Sequence, residues 1–283
     1  NINETENKKT ILHIFNTSFS LDKKKIENLP IGLFGDIYSH ELSFCLINNN
    51  DFKNLKNLFN KSNLRLKKIL LKSFVEGTNI SYENANLESF YQIKISDHYS
   101  QISFFENNSL KFVQNFDFGS DMVLRDISKI TSLKSNIVQN IIKKNKFTKD
   151  FIKEDLIEKA IFENENYIKI KKKLIYEIAE ARIKEFFDLF INKNINFLGF
   201  NKKNILIFIK ISDQFHFNCF KDIYNFSFAK KGNYEVRFIE NFAINDFISS
   251  ANKIVHFGWK KEAIPVTHIK KSVIARIFDA IFN

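Results

Sequence analysis

The residue types that most often carry chemistry are few in this chain and widely spaced. Its two cysteines, Cys45 and Cys219, lie far apart and have no neighbours at a spacing that suits a metal ion. The six histidines form no HExxH or similar cluster. The sequence therefore predicts no metal centre and no disulfide framework. Both cysteines are interpreted as small core residues of a protein in a reducing cytoplasm.

Residues 270–283 combine basic side chains with an apolar helical face. Large apolar residues recur there at i, i+4 and i+8, which places them on one side of a helix. Such a segment suits a membrane surface, where the apolar face enters the acyl region and the basic residues meet anionic headgroups. The predicted membrane-contacting residues are Lys270, Lys271, Val273, Ile274, Arg276, Ile277, Phe278, Ile281 and Phe282.

A single copy of this segment would bind a membrane weakly. Burying its six large apolar side chains contributes on the order of 10 kcal/mol gross. Ordering about ten residues costs roughly 1–2 kcal/mol each, which cancels most of that gain. Many copies linked in a polymer would bind strongly through avidity. A C-terminal helix docked on its own domain explains the same pattern, and the sequence does not choose between the two.

The composition of the whole chain indicates a globular protein. Its 283 residues, 44% of them hydrophobic, suffice for a large core and more than one domain. No stretch reaches the roughly 20 apolar residues of a transmembrane helix. The net charge of +11 comes from lysines spread along the chain, with arginine at only five positions. Because arginine is favoured for phosphate and base contacts, a nucleic-acid binder is disfavoured.

Hydrophobic periodicity predicts an α/β arrangement of strands, hairpins and helices. Strands are expected at residues 10–15, 41–47, 64–71, 109–116, 204–211 and 234–239, with a strand–turn–strand unit over 91–105. Helices are expected at residues 73–81, 121–133, 136–144, 149–161, 172–192 and 247–257. A further helix is expected to begin with Asp51 as its N-cap.

The order of these elements and several residues resemble the FtsA family of actin-like cell-division proteins. The strongest match is to that family's "LH…Y-x-(L/I)-D…I…P-x-G-x-x-G" segment, followed by a helix–strand–helix return over residues 54–77. Later stretches are similar to its "GG…DI" and "aR..E" motifs. The matching residues are Leu12, His13, Phe19, Leu21, Asp22, Ile26, Pro30, Ile31, Gly32, Gly35, Gly119, Ser120, Asp121, Asp126, Ile127, Ala181, Arg182 and Glu185.

The resemblance implies actin-like (ribonuclease H-like) lobes in which helices flank mixed sheets. It also implies part of an inserted SHS2-type subdomain and a C-terminal amphipathic helix. The implied divisions are a partial inserted subdomain (1–50), the return of the first lobe (51–88), the second lobe (89–130 and 172–258), a small charged helical subdomain (131–171), a linker (259–271) and the membrane-targeting helix (272–283). The chain begins with Asn1, and about the first third of a family member is expected to be missing.

The nucleotide site is where this sequence departs most from the family. Residues 93–102 align with a phosphate loop similar to "I-D-I-G-G-G-T-T-D-I", yet they contain no glycine, and Lys94 replaces the acid. The chemistry needs those glycines because they let backbone amides close around phosphates. Asp97 is interpreted as a turn residue, and residues 207–210 replace a motif similar to "L-T-G-G". The remains of the site would be Lys94, Ser96, Ser100, Gly119 and Ser120.

These observations predict a scaffold rather than an enzyme, with no catalytic residue. The resemblance implies a peripheral protein on the cytoplasmic face of the inner membrane at the division septum. It would tether FtsZ, through the charged subdomain around residues 136–170, and help recruit other divisome proteins; self-polymerisation stays open. ATP and Mg²⁺ are cofactors of family members, and direct pairing of Lys94 with a phosphate is an alternative. The competing hypotheses are an actin-like ATPase or kinase, an actin-like pilus-assembly scaffold and a nucleic-acid binder.

Overall fold

Each of two units of the chain is built on its own β-sheet. The computed structural model describes residues 8–84, 86–147, 155–163, 165–198, 205–229 and 234–263. The first unit holds the described residues of 1–88, 105–112 and 243–283. The second unit holds those of 89–104 and 113–242.

The first sheet is organised by a long strand whose side chains alternate between two faces. Its strands are β1 (Lys9–Leu21), β2 (Lys24–Ile26), β3 (Tyr38–Asn48) and β9 (Glu262–Ala263). Every second residue of β1 from His13 to Phe19 is buried, as expected of a strand with one face on the core. Strand β1 pairs antiparallel with β3 on one edge and with β2 and β9 on the other.

Among the described residues of the first unit, three helices accompany this sheet. They are α1 (Asn49–Lys61), α2 (Lys72–Glu83) and α8 (Ile244–Phe257). Helix α1 has no buried residue, whereas α2 buries every residue from Ser73 to Ile80. Helix α2 packs against α8, where the Ser250 hydroxyl donates to the Asn79 side chain at 2.8 Å.

The second unit contains most of a five-stranded sheet. Its strands are β4 (Phe90–Ile95), β5 (Ser100–Glu106), β6 (Ser109–Phe116), β7 (Ile205–Ile211) and β8 (Tyr234–Ile239). Their order across the sheet is β6-β5-β4-β7-β8, and β4, β7 and β8 run parallel. Strands β4 and β7 are almost continuously buried, which is typical of parallel strands covered on both faces.

Helices of the second unit bring two of the family-like motifs together. The helices are α3 (Asp121–Thr131), α4 (Ser135–Lys144), α5 (Lys172–Phe187), α6 (Ile195–Leu198) and α7 (Gln214–Ser227). Helix α5 continues as a π-helical turn at Asp188–Asn192. The guanidinium of Arg182 on α5 donates to the carboxylates of Asp126 and Glu185. This contact ties α5 to α3.

Four details of the predicted secondary structure are wrong. Residues 64–71 pair with no strand, and the Leu71 amide instead donates to a histidine ring. The helix predicted over 149–161 is absent from its described part, where residues 155–158 are extended and Lys159–Ile161 forms a single 3₁₀ turn. Asn48, not Asp51, is the N-cap of α1. Helix α7 was not predicted.

Residues 259–263, predicted as the start of a linker, are packed into the first unit. The buried Trp259 indole donates to the Asn108 carbonyl at 2.6 Å, and its ring lies edge-on to that of Phe74. Burial of this indole and the β1–β9 pairing hold the segment in place. Residues 264–283, with all predicted membrane-contacting residues, lie outside the described part of the chain. Among the described helices, none is long and apolar enough to span a bilayer.

Candidate functional site

The predicted phosphate segment forms the tight turn between β4 and β5. The Ser96 amide donates to the Tyr99 carbonyl at 2.9 Å and closes the turn. The amides of Ser120 and Asp121 donate to the carbonyls of Ser96 and Asp97 at 2.9 and 3.1 Å. These amides lie at the N-terminus of α3, where unpaired amides would otherwise attract an anion. Carbonyl groups of the turn therefore occupy two of the amides at the N-terminus of α3.

Gly119 is required by this backbone contact. A Cβ atom there would lie 2.1 Å from the Ser96 carbonyl oxygen and 2.4 Å from that of Asp97. Neither carbonyl can move without losing its hydrogen bond to α3. The glycine that matches the family motif thus allows the start of α3 to lie close to the backbone of the β4–β5 turn.

Four of the five predicted nucleotide-site residues lie together here. They are Ser96, Ser100, Gly119 and Ser120. The hydroxyl of the fully buried Ser100 donates to the Phe118 carbonyl at 2.8 Å. The Ser120 hydroxyl lies 3.4 Å from the Ser96 carbonyl. The fifth, Lys94, lies on β4 in register with Lys210 of β7, whose ammonium group is 4.5 Å from the centre of the Phe242 ring.

Two carboxylates and an imidazole converge beside the same turn. One potential ligand atom from each of Asp97, Asp213 and His216 lies within 4.8 Å of the others. Asp213 follows β7 and caps α7, accepting from the Phe215 amide at 3.1 Å. His216 lies in the first turn of α7. The sequence analysis missed this group, although an Asp-x-x-His pattern directly after an apolar strand is a signal that could have found it.

His216 is buried, and none of the described residues is a hydrogen-bond partner of its ring. Its exposed fraction is 2%, and both ring nitrogens are buried and unpaired. Burial lowers the pKa of His216 to about 4, although the charges of Asp97 and Asp121 act to raise it. The imidazole is therefore neutral at physiological pH and offers a lone pair.

The remaining charges make this region unfavourable for a phosphate. The Asp121 carboxylate accepts from His98 Nδ1 at 3.0 Å and also from Arg125. Asp97 and Asp213 add two further carboxylates beside the turn. Without a bound cation, an anion placed here would meet like charge and amides that are already engaged. The residues of this turn do not fit the phosphates of ATP.

Comparisons with known proteins place the fold. No family model matches the sequence, and no curated protein matches it. MreB5 of Spiroplasma citri bound to ADP matches with a TM-score of 0.51 at 12% identity, over 74% of this chain and 65% of that one. The chain has an actin-like fold. The predicted fold class is thus confirmed, whereas the SHS2-type subdomain and the predicted domain bounds stay predictions.

Two other solved structures show weaker likeness. A PilM–PilN type IV pilus biogenesis complex matches with a TM-score of 0.44 at 7% identity, over 89% of this chain and 65% of that one. The ethanolamine utilization protein EutJ from Carboxydothermus hydrogenoformans matches with a TM-score of 0.42 at 10% identity, over 73% and 60%. The chain therefore spans less than two thirds of the length of each of these structures.

Proposed function

We propose that this chain is a non-catalytic scaffold of the FtsA type on the cytoplasmic face of the inner membrane. It tethers the FtsZ ring at the division septum and helps recruit other divisome proteins. The actin-like fold supports an actin-like scaffold, and the FtsA-like residues support its assignment to the FtsA type. The observation that carries the non-catalytic part is the β4–β5 turn, whose carbonyls occupy the amides of α3 beside three carboxylates.

The FtsA-like residues of the first unit make hydrogen bonds that stabilise the fold. Their presence therefore supports an FtsA-like fold for this unit. His13 bridges the Glu262 carboxylate and the Leu71 amide, at 2.7 and 3.2 Å. Asp22 accepts from the amides of Asp36 and Ile37 at 2.9 and 2.8 Å and anchors the loop that contains Gly32 and Gly35. Such contacts persist in a body that has lost its nucleotide chemistry.

Nucleotide binding is the main competing function. The solved MreB5 structure is bound to ADP, so the fold itself is compatible with a nucleotide. In this chain a nucleotide would have to displace backbone hydrogen bonds of Ser120 and Asp121. Its phosphates would also lie close to negatively charged carboxylates. Both requirements cost free energy with no compensating glycine-rich loop.

The membrane-binding part of the proposal rests on the basic amphipathic pattern of residues 270–282. Because one copy of this segment binds weakly, the tether works when many copies are aligned on a filament. A filament of FtsZ subunits would supply that alignment.

Flotation with anionic liposomes tests the tether. The wild-type chain should float and carry FtsZ with it, whereas Ile277→Asp combined with Phe278→Glu should leave both proteins at the bottom of the gradient. Asp279→Asn, on the polar face of the same segment, is the matched control and should float. Flotation of the double variant, or failure of the wild-type chain to carry FtsZ, would contradict the proposal.

A further inference from the structure

We propose that Asp97, Asp213 and His216 form a binding site for a divalent transition-metal ion of the zinc or manganese class. The site is separate from the proposed tether and requires neither FtsZ nor a membrane. One potential ligand atom from each side chain already lies within 4.8 Å of the other two. Three donors around one ion at about 2.0–2.2 Å are about 3.3–3.6 Å apart in tetrahedral geometry, so the side chains must close by up to about 1.5 Å to complete the site.

The unpaired imidazole is the observation that points to a ligand. A buried polar group without a partner costs roughly 1–3 kcal/mol, so native structures rarely keep one without a reason. His216 is buried and carries two unpaired ring nitrogens beside two carboxylates. A metal ion accepts the lone pair of one nitrogen and neutralises both carboxylates.

The ligands are held on well-supported elements. Asp213 is fixed at the start of α7, because its Oδ1 atom accepts from the Phe215 amide. Its second oxygen remains for an ion. His216 follows at i+3 on the same helix. Asp97 lies in the β4–β5 turn, and its carbonyl accepts from the Asp121 amide. An ion would therefore connect the turn to the N-terminus of α7.

The charges around the site select a cation. The two carboxylates of Asp97 and Asp213 make the ligand set acidic, which favours a cation over an anion. Asp121 is nearby but already accepts from His98 and Arg125, so it is not counted as a ligand. Lys143 lies near His216, but its ammonium group is directed over the Phe215 ring, at 5.2 Å from the centroid.

The donor atoms set the class of metal. Imidazole nitrogen suits zinc and other transition metals, whereas magnesium and calcium prefer oxygen ligands throughout. Two carboxylates and one imidazole leave open coordination positions for water. We therefore expect zinc and manganese to bind and magnesium to bind far more weakly.

Titration of the chelator-treated full chain with Zn²⁺, against a competing zinc indicator, tests the site. One equivalent should bind, and Mg²⁺ should not displace it. His216→Leu should lower the affinity by more than the roughly 10–100-fold that loss of an outer-shell partner costs. Asp121→Asn is the matched control: it removes a neighbouring carboxylate that is not a ligand, and the affinity should fall far less than in His216→Leu.

Two further measurements keep the test decisive. Asp213→Asn should weaken zinc binding as His216→Leu does. Circular dichroism shows whether each variant is folded, and if one is not, the other still tests the site. Co²⁺ in place of Zn²⁺ should give a visible absorption band that both variants lose. Absence of one-to-one zinc binding in the wild-type chain, or an affinity equal to that of the wild type in both ligand variants, would overturn the proposal. Neither result depends on ATP, FtsZ or lipid, so failure here leaves the proposed function standing.

Discussion

Each unit contains a histidine that is almost fully buried, and the two histidines differ in their partners. In the first unit, His13 is 0% exposed, accepts at Nε2 from the Leu71 amide and therefore donates from Nδ1 to the Glu262 carboxylate. In the second unit, His216 is 2% exposed and has no partner for either nitrogen.

The difference separates a structural histidine from a candidate ligand. All polar atoms of the His13 ring are satisfied, and Lys68 completes the group with an ion pair to Glu262 at 3.0 Å. Such a group stabilises the fold and leaves nothing for a ligand. His216 lies next to two carboxylates with its lone pair unused, so it stabilises the fold only when a cation is present.

The largest expected effect is the loss of His13. His13→Leu leaves the Glu262 carboxylate and the Leu71 amide buried without this partner, which should lower the free energy of unfolding by about 3–5 kcal/mol. Urea unfolding followed by the fluorescence of Trp259, the only tryptophan of the chain, reports on this unit. His40→Leu, at a half-buried position of the same sheet, should cost less than half as much. Equal decreases in the free energy of unfolding for His13→Leu and His40→Leu would show that the hydrogen bonds of His13 add no extra stability.

The pH dependence of the first unit should follow Glu262. Burial raises the pKa of Glu262, but hydrogen bonds from His13 and Lys68 outweigh burial, and its pKa is lowered below the ordinary value of 4.5. A carboxylate whose folded pKa is lowered binds fewer protons than in the unfolded chain. Its contribution is complete above the unfolded pKa and is lost as the pH falls through the folded pKa.

The free energy of unfolding of the wild-type chain should fall below about pH 4.5 as Glu262 is protonated. In Glu262→Gln this part of the pH dependence should be absent, so its profile should be flatter. Urea midpoints by Trp259 fluorescence at several pH values between about 3 and 7 measure this. Asp51→Asn on the exposed helix α1 is the control. Parallel pH profiles for the wild type and Glu262→Gln would show that another group governs acid unfolding.

Replacement of His216 should act in the opposite direction. In chelator, His216→Leu removes two unpaired buried nitrogens and should stabilise the second unit by about 1–2 kcal/mol. Far-UV circular dichroism during thermal unfolding measures the change. With zinc present, only the wild-type chain should gain stability. Destabilisation by more than about 1 kcal/mol in chelator would mean that the imidazole has a structural partner, as His13 does.

The smallest effect is expected at an exposed histidine. The side chain of His98 is 78% exposed where it pairs with Asp121. His98→Ala should change the free energy of unfolding by less than about 0.5 kcal/mol, because exposed ion pairs contribute little. The same thermal unfolding experiment applies. A loss of several kcal/mol would place the His98–Asp121 pair among the structural groups.

The sequence predicted elements well where apolar periodicity was strong. The strands from 91 to 116 and helix α5 are close to their expected bounds. Residues 64–71 have the apolar content of a strand, but no neighbouring strand pairs with them. Helix α7 was missed, although Asp213 is a good N-cap.

The candidate site was predicted only in part, for a physical reason. Ser96, Ser100, Gly119 and Ser120, which the FtsA-like alignment assigned to the remains of a nucleotide site, lie together in the structure. Their role in binding a nucleotide stays a prediction. The approach of Asp97 to His216 depends on the parallel pairing of β4 with β7, strands separated by more than a hundred residues. Local patterns do not fix such pairing. The search for closely spaced ligands therefore could not find this group, which the fold assembles from distant residues.

Calorimetric titration of the full chain with Mg·ATP tests most directly whether the β4–β5 turn still takes part in nucleotide binding. We predict no saturable binding up to millimolar nucleotide, because carbonyl groups of the β4–β5 turn engage the amides of Ser120 and Asp121. Saturable binding with a Kd in the micromolar range, weakened when Lys94 is replaced by methionine, would contradict the account and favour an ATP-binding actin-like protein.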